Sequence, residues 1–507
     1  MNSLRAIGTA FLVTSFCFLS HFRADGADLT AAYQWKQMKI GDGEWIVDMD
    51  TSPTEKGVIF CCTDVSGAYP WNAATSTWKQ IVTAETMPKY YVRYGRYSGV
   101  DSLVTAPKAP GIAYMAFKGQ IFRSTNRGYT WNATTFASHN VNTESNGEGR
   151  REGERLGVAP SNSDVVYFCP TSDFTWVTED GGSNWHKVDG LPAGIPPHGI
   201  NTVKFDKGGG TTQSKTSAIK TDMVYVTIDQ TGILKSADAG ATWTNIGKSG
   251  PGIATKPRDA SIGPDRTYYL ASHNESGAIG SVWKCTPAGV WTNITPPAPQ
   301  GGSQAYWGVA FDPTDANHVV VIASGGNTRV LTDQGVNWTC HSLHLDRPNI
   351  LWLGKQENYW LSVDEIAFDP FDRGKLWFAE GFGFWWTVDL TTPEIHWNTA
   401  GQGIEEACAN EVIAPPVGKP VAAMFNLGAF YFNNPDTYTA LRSQPYLRAD
   451  WALDWCPANP QFIVGVFRNN LNFPPHLKDS GLSTDGGRTW NRFSAVETNS
   501  LPAIPNA

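Results

Sequence analysis

Carboxylates that follow predicted strands are the side chains of this sequence best placed for acid–base chemistry. Asp64 comes directly after the apolar segment 58–62, VIFCC, which predicts a short strand that ends at a loop. A strand end holds a carboxylate rigidly at the rim of a sheet, where it could take up a proton from a reacting group. Other carboxylates near predicted strands or junctions are more readily explained as solvated or structural groups: Asp364, Glu365, Glu405, Glu406, Asp436, Asp450 and Asp454.

Tryptophans are the second kind of side chain with a chemical use, because their flat rings can stack on the C–H faces of sugar rings. Trp352 lies in a loop-like insertion, 345–359, and Trp360 directly follows it, so both could overhang a cleft. Packing between structural units is an equally good explanation for such large apolar rings. The full set of candidate platforms is Trp307, Trp352, Trp360, Trp385 and Trp386.

A recurring phrase shows which elements must position these side chains. The pattern Ser/Thr-x-Asp-x-Gly-x-x-Trp, the Asp-box, appears as STNRGYTW (124–131), TEDGGSNW (178–185), SADAGATW (236–243), LTDQGVNW (331–338) and STDGGRTW (483–490). Its Asp can accept hydrogen bonds from the N–H groups of its own turn, its Gly permits a positive φ, and its Trp supplies apolar area between units. We expect these boxes to be structural. Repeats of about 50 residues indicate a β-propeller.

The fold class that follows is all-β, a seven-bladed β-propeller with Asp-boxes followed by part of a second propeller. Short runs rich in Val, Ile, Phe and Tyr favour strands, and no helical period is sustained. Seven blades fit between about Trp45 and Trp397, and about two more end at Trp490. The predicted organisation is a signal peptide at 1–26, the first propeller at 27–405 and the partial second propeller at 406–507. Two blades cannot close a ring, so the second propeller is either truncated or docked on the first.

Composition limits the partners. The 507 residues carry a net charge of −8 without a long basic run, which argues against nucleic acid as a partner. Residues 6–19 form an apolar run that is too short to span a bilayer and that follows Arg5, as in secretory signals. We expect a secreted, soluble monomer without a membrane segment. The eight cysteines have irregular spacing, and buried thiols in strands are the preferred interpretation. We expect no metal site and no cofactor, because no His, Asp or Glu cluster shows ligand spacing.

Four phrases resemble those of a known family. They are TDVSGAYPW (63–71), GRREGERLGVAP (149–160), VWKCTPAGVWTNITPP (282–297) and GIEEACANEVIAPPVGKP (403–420). In this order, from about Trp35 to Trp490, they are similar to segments of glycoside hydrolase family 74, the secreted xyloglucan-degrading and oligoxyloglucan-degrading β-glucanases. The Asp-boxes alone would be unspecific, because sialidases and sortilin-type receptors share them.

The resemblance implies two seven-bladed propellers that face each other across an open cleft, and an inverting cleavage of the β-1,4-glucan backbone. Inverting enzymes use one carboxylic acid and one basic carboxylate about 6.5–9.5 Å apart. The family's base corresponds to Asp64. Its acid lies in a segment like FNLGAFYF (425–432), where this chain has Asn426, which has no proton to donate, and Phe432 in place of a His. The Arg of the base segment is replaced by Pro70.

Three functions therefore remain. The first is a secreted glycoside hydrolase acting on xyloglucan or a related β-glucan, with Asp64 as base and the acid displaced. The second is a non-catalytic relative that binds polysaccharide. The third is a protein-binding propeller of the sortilin type. Asp64 and the family phrases favour the first two over the third, and Asn426 separates the first from the second.

Overall fold

The computed structural model describes residues 36–493 apart from short gaps, and it divides into two compact units, Met1–Gln37 and Met38–Ala507. The second unit is described below. The gaps are 44, 66, 90–98, 140, 142–144, 148–149, 151–152, 197, 253–255, 274–278, 298–303, 316, 324–327, 332–336, 347–349, 351, 354–362, 382, 426, 439–440, 444–449 and 468–479.

The described chain is built from four-stranded antiparallel sheets, here called blades. Blade one contains β1 (Ile46–Thr51), β2 (Ile59–Thr63), β3 (Ala68–Asn72) and β4 (Thr77–Trp78), and blade two contains β5 (Val100–Ala106), β6 (Ala109–Phe117), β7 (Gln120–Ser124) and β8 (Asn132–Ala133). Blade three contains β9 (Leu156–Val158), β10 (Val166–Phe168), β11 (Trp176–Thr178) and β12 (His186–Lys187). Blade four contains β13 (Ile200–Phe205), β16 (Val224–Ile228), β17 (Gly232–Ser236) and β18 (Thr244–Asn245). A separate hairpin of β14 (Thr211–Gln213) and β15 (Ile219–Thr221) is inserted between β13 and β16. Short 3-10 helices occupy Thr135–His139 and Gly247–Ser249.

The remaining blades follow the same order. Blade five contains β19 (Lys256–Ile262), β20 (Tyr268–His273), β21 (Gly280–Cys285) and β22 (Trp291–Asn293), and blade six contains β23 (Tyr306–Phe311), β24 (Val319–Ala323), β25 (Thr328–Leu331) and β26 (Trp338–Asp346). Blade seven contains β27 (Val363–Phe368), β28 (Leu376–Glu380), β29 (Gly383–Thr387) and β30 (Glu394–Thr399). Blade eight contains β31 (Ala409–Ile413), β32 (Val421–Met424), β33 (Gly428–Tyr431) and β34 (Leu441–Arg442), and blade nine contains β35 (Asp450–Cys456), β36 (Asn459–Phe467), β37 (Gly481–Ser483) and β38 (Asn491–Arg492).

The first seven blades form a closed ring. Their first strands, β1, β5, β9, β13, β19, β23 and β27, each contact the next, and β27 returns to β1. The seven blades lie between Ile46 and Thr399, close to the limits that the sequence predicts. The last strands of blades six and seven, β26 and β30, also pair in parallel and join those two sheets at their outer edge.

The strand order defines two faces of the ring. The first strand of each blade begins on one face, which is also where the turn between the second and third strands lies; we call it the entry face. The turn between the third and fourth strands, which carries the Asp-box, lies on the opposite face, the box face. The Asp-boxes are therefore on the other side of the ring from Asp64, in agreement with their predicted structural role.

The Asp-box turns have the hydrogen bonds that their residue types predict. In the fourth blade Asp238 Oδ1 accepts the N–H of Thr242 at 2.8 Å, and Ser236 Oγ accepts the N–H of Gly240 at 2.8 Å. The boxes at Asn126, Asp180 and Asp485 repeat this arrangement. The box Asp at 333 lies outside the described residues.

The tryptophan near the start of the fourth strand ties several blades to the preceding blade. Trp291 Nε1 donates to the carbonyl of Ile246 at 2.8 Å, and Trp185 Nε1 donates to Thr134 Oγ1 at 3.3 Å. Trp78 closes the ring in the same way through the carbonyl of Ala400 in blade seven. Each indole thus supplies both apolar contact and a directional link between sheets.

Carboxylates on the first strands provide a second set of links around the central channel. Asp259 accepts the N–H of Val309 in the next blade at 2.8 Å, and Glu365 accepts the N–H of Met49 at 2.7 Å across the ring closure. Glu411 in blade eight accepts the N–H of Leu453 in blade nine at 2.6 Å. Blades eight and nine therefore associate as two neighbouring blades of a propeller do.

Blade eight is docked on the first ring through an apolar core. Trp352 packs against Phe430 with ring centroids 5.3 Å apart, and its Nε1 donates to the carbonyl of Ile40 at 2.8 Å. Ile350 and Leu353 belong to the same buried cluster. Blade eight therefore shares a buried cluster with blades six and seven of the first ring. The domain limits at 27–405 and 406–507 stay predictions.

Two further expectations concern the cysteines and the membrane. Cys61, Cys62, Cys169 and Cys285 are buried thiols in or beside strands, as the sequence predicts, but the prediction is wrong for Cys340 and Cys408, which are exposed, and Cys456 is half-buried. In the part of the chain that the structure describes, no helix has the length and apolarity needed to cross a membrane. The predicted signal peptide lies outside the described residues.

Candidate functional site

Asp64 lies on the entry face, in the turn that joins β2 to β3. Its backbone N–H donates to the carbonyl of Trp45 at 3.0 Å, which fixes the turn to the start of blade one. Its own carbonyl accepts the hydroxyl of Ser145 at 3.3 Å, from the connection between blades two and three. Gly99 packs so closely that a Cβ there would lie 2.1 Å from the Asp64 carbonyl oxygen, so a larger residue could not occupy the position. The backbone that carries the carboxylate is thus held from three sides.

The Asp64 side chain faces a cation. Its Oδ2 lies 3.3 Å from Nε of Arg150, and the Arg150 guanidinium in turn stacks 4.5 Å from the centre of the Trp45 ring. Only 3% of Asp64 is exposed, so this pairing takes place largely away from water. An adjacent cation favours the ionised carboxylate, which is the form that a general base needs.

Glu405 and Glu406 follow blade seven on the same face but have different surroundings. Glu405 Oε2 accepts the N–H groups of Ile40 and Gly41 at 2.7 and 2.8 Å, and Oε1 accepts the Tyr438 hydroxyl at 2.6 Å. These bonds fasten the ring closure to blade eight, which is a structural role.

Glu406 instead lies at the Asp64 turn. It accepts a hydrogen bond from the Tyr69 hydroxyl, and a Cβ at Gly67 would lie 2.3 Å from its Oε1. Gly67 is in the turn that Asp64 opens, and its N–H donates to Thr63 Oγ1 at 2.9 Å. Of the carboxylates nominated from the sequence and described here, Glu406 is the one in contact with this turn.

The other candidate carboxylates whose side chains the structure describes are not brought to the Asp64 turn. Glu365 belongs to the channel link with Met49, and burial raises its pKa well above the usual value. Asp436 and Asp454 are exposed. The side chains of Asp364 and Asp450 lie outside the described part of the structure.

The candidate tryptophan platforms divide into three groups. Trp385 is fully buried and stacks on Phe378 at 6.1 Å, and Trp352 is buried against blade eight, so neither ring offers a free face in this structure. Adjacent strand residues point to opposite sides of a sheet, and Trp386 is accordingly half-exposed, but it lies toward the box face, 5.0 Å from Lys375 Nζ.

Trp307 is the platform candidate that shares the entry face with Asp64. It is half-buried near the start of β23, and the guanidinium of Arg258 lies 5.0 Å from its ring centre. Trp360 and Asn426 lie outside the described residues, so their predicted roles stay predictions.

Arg150, Trp45 and Glu406 are the site residues that the role assignments from sequence missed or left aside. Arg150 belongs to the phrase GRREGERLGVAP, which indicates a family resemblance but does not indicate a partner for Asp64. Its contact with Asp64 joins the connection before blade three to blade one, and local patterns carry no information about such a distance.

Fold and site together define a β-propeller protein with a buried carboxylate–arginine pair on the entry face of its first ring. A xyloglucanase of Paenibacillus sp is 28% identical over 97% of this chain and 52% of its own length. A xyloglucanase of Acetivibrio thermocellus is 25% identical over 96% of this chain and 64% of its own length. No family model matches the chain.

The solved structures give the same result. The family 74 xyloglucanase of Xanthomonas campestris superposes with a TM-score of 0.79 at 25% identity, over 90% of this chain and 69% of that one. The chain is thus related to the xyloglucanases of glycoside hydrolase family 74, and the resemblance drawn from its sequence is confirmed. It spans between about half and two thirds of the length of these curated relatives.

Proposed function

We propose that this protein is a secreted glycoside hydrolase that cleaves the β-1,4-glucan backbone of xyloglucan or a related polysaccharide with inversion. Asp64 is the general base. The observation that carries the proposal is the pairing of Asp64 with Arg150 on the entry face, in two segments that resemble family 74. The identity to xyloglucanases over nearly the whole chain supports the substrate class.

In this mechanism Asp64 takes a proton from the water that attacks the anomeric carbon, while an acid on the opposite side of the sugar protonates the leaving oxygen. Arg150 places a positive charge 3.3 Å from the base, and the backbone contacts at Asp64 restrict its movement. Trp307 is the proposed sugar platform on the same face. Asn426 cannot serve as the acid, because an amide has no titratable proton at neutral pH.

Among the candidate carboxylates whose side chains the structure describes, Glu406 is the one beside the Asp64 turn, and we propose it as the first residue to test as a substitute acid. It contacts the Asp64 turn through Gly67, and its partner, the Tyr69 hydroxyl, could hold it in one orientation. Its 7% exposure is comparable to that of Asp64.

A polysaccharide-binding protein without catalytic activity is the second candidate, and Asn426 is the observation that favours it. General-acid assistance typically contributes 10²–10⁴-fold, and its loss without a substitute would leave binding as the remaining property of the site.

Reducing-sugar release from xyloglucan by the purified chain, with Asp64→Asn beside it, tests the proposal. We expect the substitution to lower kcat by about 10²-fold or more, because the base is removed while the polar shape of the side chain is kept. Asp180→Asn is the matched control, since Asn126 already fills the same Asp-box position in blade two. Equal activity of Asp64→Asn and the parent would contradict Asp64 as base. Retardation in a xyloglucan-containing gel without turnover by either protein would establish the binding candidate instead.

A further inference from the structure

Two histidines and an aspartate converge on the outer edge of the ring, away from the entry face site. His344 and Asp346 lie on β26, and His396 lies directly opposite His344 on the parallel strand β30. His344 Nε2 lies 3.3 Å from Asp346 Oδ1, and His396 Nδ1 lies 2.9 Å from Asp346 Oδ2. The two imidazole rings have centroids 4.6 Å apart.

We propose that His344, Asp346 and His396 form a binding site for a transition-metal ion of the zinc class, which fastens the outer strand of blade six to that of blade seven. The proposal is independent of the hydrolase function. One nitrogen or oxygen from each of the three side chains lies within 4.8 Å of the others. Neighbouring ligands of a tetrahedral Zn²⁺ lie roughly 3–3.5 Å apart, as follows from metal–ligand distances of about 2.0–2.2 Å, so the three groups need only small rotations to close on one ion.

The donor set indicates the class of metal. Two imidazoles and one carboxylate suit Zn²⁺, Cu²⁺ or Ni²⁺, whereas Mg²⁺ and Ca²⁺ prefer oxygen ligands throughout. Three protein ligands leave one tetrahedral position for water. The side chains are between 36% and 56% exposed, so an ion could reach them directly from solvent.

The strands beneath the three ligands are held in place by the core. Ile395 and Trp397 alternate with His396 on β30 and are fully buried, while Leu343 and Leu345 on β26 are partly buried against the same cluster. Because strand residues alternate between the two sides of a sheet, this burial directs His344 and His396 to the outer side. The two strands therefore hold the ligands near one another before a metal binds, and binding does not need to order the backbone.

The spacing of His344, Asp346 and His396 along the sequence does not indicate a metal site. His344 and Asp346 are two positions apart, but His396 comes 50 positions after Asp346. The parallel pairing of the outermost strands of two blades is the element that brings them together, and no local pattern predicts that pairing.

Zn²⁺ titration of the tag-free full chain by calorimetry tests the proposal. We expect one ion per chain, with affinity at least tenfold weaker in His344→Ala and in His396→Ala. His186→Ala, which removes an exposed strand histidine in blade three, is the matched control and should bind as the parent does.

A second measurement separates a metal site from hydrogen bonds among the three side chains. Zn²⁺ should raise the thermal midpoint of the parent and of His186→Ala but not of the double variant His344→Ala/His396→Ala, because an ion that binds only the folded state stabilises it. No saturable Zn²⁺ binding by the parent, or equal binding by the double variant, would overturn the proposal. Since all three ligands are surface residues, loss of folding is not expected to confuse the result.

Discussion

At the scale of single residues, the proposed site has a candidate base whose backbone is held in place, and an amide at the position where the resemblance places the acid. Asp64 keeps a cationic partner in Arg150 and a backbone fixed to Trp45. Position 426, where the resemblance places the acid, carries an amide. The chemistry of the site therefore depends on whether another carboxylic acid has taken over the proton, and two substitutions can decide this.

Asn426→Asp should raise turnover on xyloglucan if the missing acid is the main defect of the site. The expected gain is about tenfold or more, because a restored acid assists departure of the sugar oxygen. kcat measured from initial rates of reducing-sugar release reports it. Asn410→Asp, which places a similar charge in the neighbouring β31, is the control for a nonspecific effect of negative charge.

Glu406→Gln is the complementary variant. If Glu406 has replaced the family acid, Gln should lower kcat by about 10²-fold and the Asn426→Asp exchange should then restore part of the loss. If the Glu406→Gln protein had the kcat and KM of the parent, Glu406 would not be the general acid.

At the scale of elements, the Asp-box turn is the unit that the sequence predicts most completely. The Asp and the Ser or Thr of each described box accept N–H groups from within the same turn. Hydrogen bonds from the side chain and backbone of Thr242 lower the pKa of Asp238, so the carboxylate is ionised throughout the neutral range.

Asp238→Ala should lower the free energy of unfolding by about 1–2 kcal/mol, because backbone N–H groups of the turn lose their acceptor. Urea unfolding followed by tryptophan fluorescence measures the change. Asp189→Ala removes an exposed aspartate outside any Asp-box and should have an effect below about 0.5 kcal/mol. Equal effects of the two substitutions would show that the box carboxylate does not stabilise the blade.

The limits of sequence prediction also show at the element scale. Blade ends could be predicted because the box residues act within one turn, and each Trp could be assigned to packing between blades. The burial of Trp352 could not be predicted, because its partner Phe430 lies in another blade and the segment between blades six and seven has no repeated pattern. Trp385 and Trp386 were nominated together, although adjacent strand positions must point to opposite sides of the sheet. Arg150 was missed for a similar reason, since its contact with Asp64 is purely tertiary.

At the scale of the whole molecule, buried carboxylates around the channel hold neighbouring blades together at a cost that depends on pH. Burial raises the pKa of Asp259 to about 7 and that of Asp48 to about 6. Glu154 behaves oppositely: burial acts to raise its pKa, but the charge of Lys204 together with hydrogen bonds to Glu365 and Lys204 leaves the pKa lowered. The ring thus combines groups with opposite effects on stability.

The pKa of Asp259 determines how its contribution to the free energy of unfolding changes with pH. Its pKa is higher in the folded state than the ordinary value of 3.8, so the folded state binds more protons between about pH 4 and 7. Asp259 therefore favours folding most at low pH, and this contribution is lost as the pH rises through 7. A shift to about 7 corresponds to a loss of about 2–3 kcal/mol between pH 5 and 8.

Asp259→Asn removes this titration and should flatten the pH profile of stability by about that amount between pH 5 and 8. Asn is expected to be less stable than Asp at pH 5, by about 1–3 kcal/mol, because its NH₂ group cannot accept one of the two N–H bonds from Ala260 and Val309. The decisive quantity is therefore the slope with pH and not the stability at one pH. Urea unfolding at both pH values, with the exposed Asp265→Asn in the same blade as control, measures it. Parallel profiles for Asp259→Asn and the parent would mean that the link between blades five and six does not titrate in this range, and that the channel carboxylates stabilise the ring equally in acid and in neutral solution.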